Sequence, residues 1–242
     1  DGVPVGYADI ALPTLDNTEN ARVHIAVLPR YRRRGVGRAL HEYAVRLIRD
    51  QARKRIFFMT PAADGPGGGG AGAAFALAVG ATPMLADVRR RLDVAEVDNA
   101  RLDRLLADAW AKADGYSLVR WRDTAPAEYL DDIAYLDSRL LEDAPMGDLE
   151  WEPEKVDAAR VRATEAAIRA RGGRTYHTGI RHDTTGRLVA WTMIESGSNV
   201  PWHAFQQITI VDPQHRGHRL GTIIKIENLR YALAHEPTLH VI

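Results

Sequence analysis

Residues 24–48 read HIAVLPRYRRRGVGRALHEYAVRLI and decide the fold, because they predict a strand, a basic turn and an amphipathic helix in direct succession. Residues 208–233 read ITIVDPQHRGHRLGTIIKIENLRYAL and have the same order. One constant offset superposes matching residues of the two stretches: Val27 on Val211, Pro29 on Pro213, Arg32 on Arg216 and Gly37 on Gly221. The chain therefore uses one strand–turn–helix unit twice.

The composition is that of an ordinary globular protein and argues against several classes. The 242 residues, 45% of them hydrophobic, allow one large domain or two. The 32 basic and 32 acidic residues balance, so no overall field favours nucleic acid or a membrane as a partner. No apolar run approaches the roughly 20 residues of a membrane helix.

Cysteine and lysine usage bears on the compartment and the source. The chain has no cysteine, which excludes disulfides and thiolate metal sites and fits a reducing compartment, so we expect a cytoplasmic protein. Arginine far outnumbers lysine, which is typical of GC-rich bacterial genomes.

The first half predicts a hairpin, then a β–α–β unit whose two strands are parallel, then a helix and a further strand. Pro29 ends the second hairpin strand because proline cannot donate to a ladder. The predicted elements are the strands Pro4–Leu12 and Arg22–Leu28, the helix Arg38–Arg53, the strand Arg55–Met59, the helix Gly72–Val79 and the strand Met84–Val94.

The second half predicts a connecting helix, a strand, two helices and a three-stranded meander, followed by the second basic turn, its helix and a strand-like end. These elements are Asn99–Ala113, Tyr116–Trp121, Ala127–Leu141, Glu154–Arg171 after Pro153, Thr175–Arg181, Arg187–Glu195, Ala204–Val211 and Thr238–Ile242. We therefore expect a domain at residues 1–98, a connecting helix at 99–115 and a domain at 116–242. The first is expected to lack its beginning and the second its end.

The basic turns have the chemistry of an anion site. Glycines between a strand and a helix allow successive backbone N–H groups to point into one concavity, which suits a pyrophosphate. The cluster from Arg30 to Arg34 precedes a helix N-terminus, where positive charge is unfavourable unless an anion is bound. The alternative is a solvated basic loop, and the second copy at the same place argues against it.

With these residues the chain resembles the GNAT superfamily of acyl-CoA-dependent N-acyltransferases, in the tandem two-domain form of actinobacterial members. The family motif is Arg/Gln-x-x-Gly-x-Gly/Ala after a strand, and Arg32, Gly35 and Gly37 fit it. Arg219 replaces the first glycine of the second copy, at a cost of about 1 kcal/mol if a positive φ is needed there. The resemblance implies an α/β fold: a GNAT-like mixed central sheet flanked by helices, in two tandem copies that are both incomplete.

The resemblance also implies the cofactor and its site. Acetyl-CoA would place its pyrophosphate on the amides of residues 33–38 and 217–222, and its pantetheine arm along the preceding strands. The implied cofactor-binding residues are Val27, Leu28, Arg32, Arg33, Arg34, Gly35, Val36, Gly37 and Arg38, and in the second copy Val211, Asp212, Arg216, Gly217, His218, Arg219, Leu220, Gly221 and Thr222.

The candidate catalytic residues are a histidine and a glutamate. His24 lies on the first key strand and has a side chain suited to base chemistry, although a histidine merely accommodated in a sheet is the simpler interpretation. Glu195 ends the strand before the second key strand, where a solvated carboxylate is the simpler interpretation. The family often has a general-acid tyrosine where this chain has Ala76, so binding without catalysis stays open for the first domain.

Two further signals are weaker. Gly67, Gly69 and Gly72 satisfy a dinucleotide pattern, but they lie within a glycine run that is better interpreted as a linker. His215 and His218 have no third ligand candidate nearby, so we expect no metal site.

The sequence thus favours an enzyme that transfers an acetyl group from acetyl-CoA to a small-molecule primary amine, without nucleic acid, membrane or metal. An acetyl-CoA sensor or scaffold and a dinucleotide-dependent oxidoreductase are the alternatives. A monomer with an internal pseudo-dimer and a homodimer both remain open.

Overall fold

A computed structural model describes residues 2–61, 69–143 and 147–242. The chain forms two compact units: Asp1–Val88 with Pro145–Glu154, and Arg89–Ala144 with Lys155–Ile242. The expected limits at residues 98, 115 and 116 stay a prediction. Gly67 of the dinucleotide pattern and Gly68 beside it lie outside the described residues.

The first unit contains the predicted hairpin and β–α–β unit, and the order of its sheet is β1-β2-β3. Strand β2 is antiparallel to β1 and parallel to β3, which confirms both predicted pairings. In chain order the elements are β1 (Gly6–Ala11), β2 (Asn20–Val27), α1 (Val36–Asp50), β3 (Arg55–Phe58) and α2 (Ala71–Ala78).

Helix α1 covers one face of this sheet because its apolar residues recur at helical spacing. Ala44 and Ile48 are buried against Ala21 and Val23 of β2, with Phe58 of β3 packed beside them. The sheet is incomplete in one respect. β3 pairs with β2 only from Asn20 to Val23, so among the described residues no strand pairs with that side of His24–Val27.

The second unit is built on an antiparallel sheet of order β4-β5-β6-β7, as the predicted meander requires. Helices α3 and α6 bury one set of apolar residues against it, and α4 and α5 bury another. The elements are α3 (Asn99–Trp110), β4 (Tyr116–Arg122), α4 (Leu130–Asp143), α5 (Ala158–Ala170), β5 (Arg174–His182), β6 (Leu188–Ser196), β7 (Ala204–Val211) and α6 (Leu220–His235).

The predicted strand Met84–Val94 is wrong. Most of its large apolar side chains are exposed rather than packed against a core, and Val88 is 64% exposed. Only its end is paired: the Leu92 and Ile242 backbones exchange hydrogen bonds of 2.7 and 3.0 Å, and the Val94 amide donates to the His240 carbonyl at 2.9 Å. The strand-like run Thr238–Ile242 likewise forms only isolated bridges at Val241.

One helix begins later than predicted. Glu154 was expected to start the helix because Pro153 precedes it, but α5 begins at Ala158. Asp157 determines this start, since its side chain accepts a hydrogen bond of 2.7 Å from the Arg160 amide and caps the helix. In the described chain no helix has both the length and the apolar composition needed to cross a membrane.

The two basic turns have the same backbone course. Each strand is followed by a 3-10 turn, Pro29–Tyr31 or Pro213–His215, and then by an extended arginine with ψ of 161° or 160°. Two residues of each turn adopt the left-handed conformation: Arg33 (φ 61°) and Gly35 (φ 83°), and correspondingly Gly217 (φ 91°) and Arg219 (φ 58°). Arg219 therefore has the positive φ that its place in the motif suggested. The glycine and the strained arginine exchange positions between the copies.

His177 of β5 is a buried polar residue in the core of the second unit. It is 4% exposed, and its ring stacks between the rings of Trp121 and Trp191, with centroids 5.0 and 6.0 Å away. The indole N–H of Trp191 donates to His177 Nδ1 at 3.1 Å, so Nε2 carries the proton and donates to Thr175 Oγ1 at 2.8 Å. Burial lowers the pKa of His177 to about 3.

Two glycine substitutions in the second turn, one at a left-handed residue and one at a helical residue, test the cost of the left-handed conformation. Gly217→Ala should lower the free energy of unfolding by about 1 kcal/mol, because an added Cβ meets nothing within 4 Å and only the left-handed backbone opposes it. Gly221→Ala is the control, since its Cβ would lie 3.7 Å from Val211 in a helical residue, and it should stabilise by about 0.5 kcal/mol.

Urea unfolding followed by tryptophan fluorescence measures this difference. Four of the 5 tryptophans belong to the second unit and report on it: Trp110, Trp121, Trp191 and Trp202. Equal effects of the two substitutions would contradict the conformational explanation.

Acid should destabilise the second unit through His177. In the unfolded chain this histidine binds a proton near pH 6.5, whereas in the folded chain it does so only near pH 3. The unfolded state therefore binds more protons between these values, and stability falls on acidification by up to about 1.4 kcal/mol per pH unit. His177→Phe keeps a flat ring between the tryptophans and should remove this part of the slope in urea unfolding from pH 6 to 4. An unchanged slope would show that His177 does not carry it.

Candidate functional site

The first turn presents a set of backbone donors at the N-terminus of α1. The first helical hydrogen bond of α1 runs from the Ala39 amide to the Gly35 carbonyl at 3.0 Å. The amides of residues 33–38 have no hydrogen-bond acceptor in the part of the chain that the structure describes. The left-handed Arg33 and Gly35 give the turn the backbone course of an anion-binding concavity.

The side chains of this turn supply positive charge. Arg32 Nε donates to the Val27 carbonyl at 3.0 Å, so this side chain ties the turn to the end of β2. Arg30 and Arg34 stack their guanidinium groups on the Tyr31 ring, at 5.1 and 5.8 Å from its centroid. Within residues 2–61, 69–143 and 147–242, no carboxylate forms an ion pair with any arginine of the turn: Arg30, Arg32, Arg33, Arg34 or Arg38.

His24 lies where the open part of the β2 edge begins. It is paired across the hairpin with Asp9 and contacts the Tyr7 ring edge-on, with centroids 5.7 Å apart. Its side chain is exposed on the face opposite the buried Val23. The structure therefore brings His24 to the same strand edge as Val27 and Leu28, and a molecule lying along that edge would meet it.

The second turn uses its donors differently. The Thr222 amide, expected to face the cofactor, instead donates to the Arg219 carbonyl at 3.0 Å. The amides of residues 217–221 have no acceptor among the described residues. Arg216 Nε donates to the Val211 carbonyl at 3.3 Å, as Arg32 does in the first turn, but its Nη2 lies 2.6 Å from a carboxylate oxygen of Asp143.

A cavity of about 390 Å³ adjoins the second turn. It lies along β7, which ends the described sheet and has no further strand beside it there. Its lining combines the end of α4, the end of β7 and the turn: Leu140, Asp143, Thr209, Ile210, Val211 and Arg216. An extended molecule could therefore pair with the β7 backbone while its anionic end reaches the turn.

Glu195 does not lie beside the second turn. It pairs with Phe205, six residues before Val211, which corresponds to about 20 Å of strand. It lies instead at an irregularity where Met193 pairs with Ile208 but Ile194 pairs with Gln206, so Gln207 is an extra residue in β7. Gln207 Nε2 donates to Glu195 Oε2 at 3.1 Å. Bulges of this kind redirect side chains next to active sites.

Gln206 is a residue that sequence reasoning missed. Its Nε2 lies 2.8 to 2.9 Å from the Met193 carbonyl, the Ile208 carbonyl and Thr192 Oγ1. These contacts hold the bulge in place from inside the sheet. The two adjacent glutamines were the one available sequence signal, and they do not identify a bulge.

The histidines of the second turn are held by neighbours. His215 Nδ1 is 2.9 Å from the Tyr116 hydroxyl, and His218 Nδ1 is 3.1 Å from the Lys112 carbonyl. The His182 ring lies 5.0 Å from that of His215. Burial, together with the neighbouring imidazoles, lowers the pKa of His215, while Asp212 opposes this shift. These contacts fix the two histidines of the turn to Tyr116 and to the Lys112 carbonyl.

Comparison with known proteins agrees with this geometry. The model of the acetyltransferase (GNAT) family matches residues 1–65, which include the first turn, whereas no curated protein matches the chain. A tandem GNAT protein from the clavulanic acid biosynthesis pathway, solved without acetyl-CoA, is 34% identical over 98% of this chain and 69% of its own, with a TM-score of 0.76.

Two more distant structures show the same fold. A GCN5-related N-acetyltransferase from Sphaerobacter thermophilus is 14% identical over 98% of this chain and 66% of its own, with a TM-score of 0.58. The glucosamine N-acetyltransferase region of a fungal multi-domain β-N-acetylglucosaminidase is 14% identical, covers 98% of this chain and 28% of the fungal one, and has a TM-score of 0.62. The match of the family model and the 34% identical relative agree with the turns and with the mixed α/β fold. The chain therefore belongs to the GNAT acetyltransferase family.

Proposed function

We propose that this protein transfers an acetyl group from acetyl-CoA to a primary amine of a small molecule. The observation that carries the proposal is the repeated turn. In it, amides at a helix N-terminus that have no acceptor among the described residues adjoin a strand edge that no described strand covers. The amides suit a pyrophosphate, and the strand edge suits the amide groups of a pantetheine arm. Acetyl-CoA carries both groups along one extended molecule.

The two units are proposed to be tandem copies of the GNAT core. Support comes from the turns, whose corresponding residues Leu28 and Asp212 have φ,ψ of −52°,134° and −51°,130°. The 34% identical relative is described as a tandem protein, which agrees with this. The proposed limits are residues 1–98 and 116–242, joined by residues 99–115.

The chemistry is proposed to be direct attack without a covalent enzyme intermediate. The amine nitrogen forms a bond to the thioester carbonyl carbon, the carbon–sulfur bond breaks, and CoA leaves as the thiol after it takes up a proton. A base removes the proton that the amine loses, and positioning of the two reactants supplies much of the rate. His24 is the proposed base at the first edge, and Glu195, beside the β7 bulge, is the proposed base at the second.

An acetyl-CoA sensor or scaffold without transfer is the alternative function. The observation that favours it is Ala76 in α2, because the GNAT resemblance would place a general-acid tyrosine there. Such a protein would bind acetyl-CoA at the first turn and release no CoA. Binding and turnover must therefore be measured separately.

A ligand panel with one charge reversal tests acetyl-CoA binding. Acetyl-CoA should raise the melting temperature because it binds only the folded chain, and NAD should not. Arg34→Glu should weaken acetyl-CoA binding about tenfold, since it replaces an exposed cation of the first turn by an anion. Arg49→Glu reverses a charge at the other end of α1 and is the matched control. A shift with NAD and none with acetyl-CoA would favour the oxidoreductase and refute the proposal.

Substitution of the proposed bases tests the chemistry. His24→Ala and Glu195→Gln should each lower kcat for CoA release by about a hundredfold at the unit they serve, because general bases contribute at least that much. The KM for acetyl-CoA should stay unchanged, since neither side chain adjoins its turn. CoA release with an amine panel gives both constants. If the double variant retains wild-type turnover, neither residue is the base; acetyl-CoA binding without turnover in the wild type would identify a sensor.

A further inference from the structure

Asp143 of the second unit forms an ion pair with the arginine that begins the phosphate turn. Its Oδ2 lies 2.6 Å from Arg216 Nη2, and its Oδ1 lies 3.1 Å from Arg139 Nη2. Because Arg216 Nε is already bonded to the Val211 carbonyl, the Nη side of the guanidinium is what remains for a ligand. Asp143 occupies that side.

The position of Asp143 is unfavourable for the helix that carries it. Asp143 is the last residue of α4, where the partial negative charge of the helix dipole repels a carboxylate. Glu142 adds a second negative charge at the same end. The two arginines offset this repulsion, so the carboxylate is held by its partners and contributes nothing favourable to the helix dipole.

The first turn has the same arginine without the acid. Arg32 makes the equivalent bond to the Val27 carbonyl at 3.0 Å, and in the described chain no carboxylate pairs with it. A second acid distinguishes the copies, because Asp212 stands where the first copy has Leu28. The cations differ too. At the positions of Arg30, Arg33, Arg34 and Arg38 the second copy has Gln214, Gly217, His218 and Thr222.

We propose that Asp143 acts as an internal competitor for the cofactor phosphate, so that the second turn binds acetyl-CoA weakly and the first turn binds it tightly. This inference rests on the proposed function. A pyrophosphate seated on the amides of residues 217–221 would approach Arg216 from the cavity that Asp143 also lines. Two anions cannot share that guanidinium edge without repulsion, so the ligand must displace the carboxylate.

The pair regulates binding without blocking it. Arg216 and Asp143 have side chains 51% and 24% exposed, and solvated ion pairs of this kind are weak. A polyanion with several amide contacts can therefore displace Asp143. Any change that draws Asp143 away from Arg216 would strengthen cofactor binding at the second turn alone.

Calorimetric titration of the full chain with acetyl-CoA tests the proposal. The wild type should show one tight and one weak class of site. Asp143→Asn should tighten the weak class about tenfold and leave the tight class unchanged. Glu142→Gln is the matched control, because it removes the same charge from the same helix end but contacts Arg139, at 3.2 Å, and not Arg216. It should leave both classes unchanged. Asparagine is accepted at helix ends, and Asp143→Ala serves as a second variant.

The Arg34→Glu background weakens the first turn about tenfold and leaves the second turn unchanged. There Asp143→Asn should again tighten binding about tenfold, and inorganic pyrophosphate should report the same ranking without any acyl group. Equal affinities of the wild-type, Asp143→Asn and Glu142→Gln chains would refute the proposal that Asp143 competes with the phosphate. Loss of the weak class of site in the Arg34→Glu variant would refute it too, because that class would then belong to the first turn. No heat with acetyl-CoA for any chain would instead overturn the proposed function, and the inference with it.

Discussion

The left-handed residues of the two turns are the constraint on which the candidate sites depend. A strand that ends at Val27 or Val211 must reverse into a helix within a few residues and leave its amides pointing outward. Two left-handed residues in each turn accomplish this, at positions 33 and 35 and at 217 and 219. In each turn one of the two is an arginine, for which that conformation is strained. Strain of this kind persists only where the surrounding structure determines the backbone, and here the arginine tie to the strand carbonyl and the following helix do so.

Charge then distinguishes two turns that the backbone makes alike. In the first, exposed arginines surround the N-terminus of α1 and repel its dipole, so an anion relieves an existing repulsion. In the second, an acid from another helix already relieves it at Arg216. If Asp143 competes as we propose, the same shape would offer different affinities for one ligand. A turn can in this way keep its backbone geometry while the charges around it change.

Much of the fold followed from pattern, and the rest depended on distant contacts. The hairpin, the parallel β2–β3 pair and the three-stranded meander are local, and periodicity with turn residues predicted them. The segment Met84–Val94 alternates like a strand, but no partner strand in the described chain lies alongside most of it. The Asp143–Arg216 pair joins residues far apart in sequence, and the bulge at Gln207 depends on the register of two strands. The positive φ of Arg33 was missed because glycine is the residue that normally indicates such a conformation.

Strand β3 pairs with only the first half of β2, and this affects how the first candidate site keeps its shape. From His24 to Val27, β1 is the neighbouring strand that the described residues provide, and it lies on one side. The hairpin therefore determines where this open edge lies. Gly6 shows how closely the two strands fit: a methyl group at this residue would lie 2.7 Å from the Ala26 carbonyl oxygen. The position of the open edge thus depends on β1, which pairs with the opposite side of β2. Bulkier residues in the hairpin would shift the edge without any direct contact with a molecule bound along it.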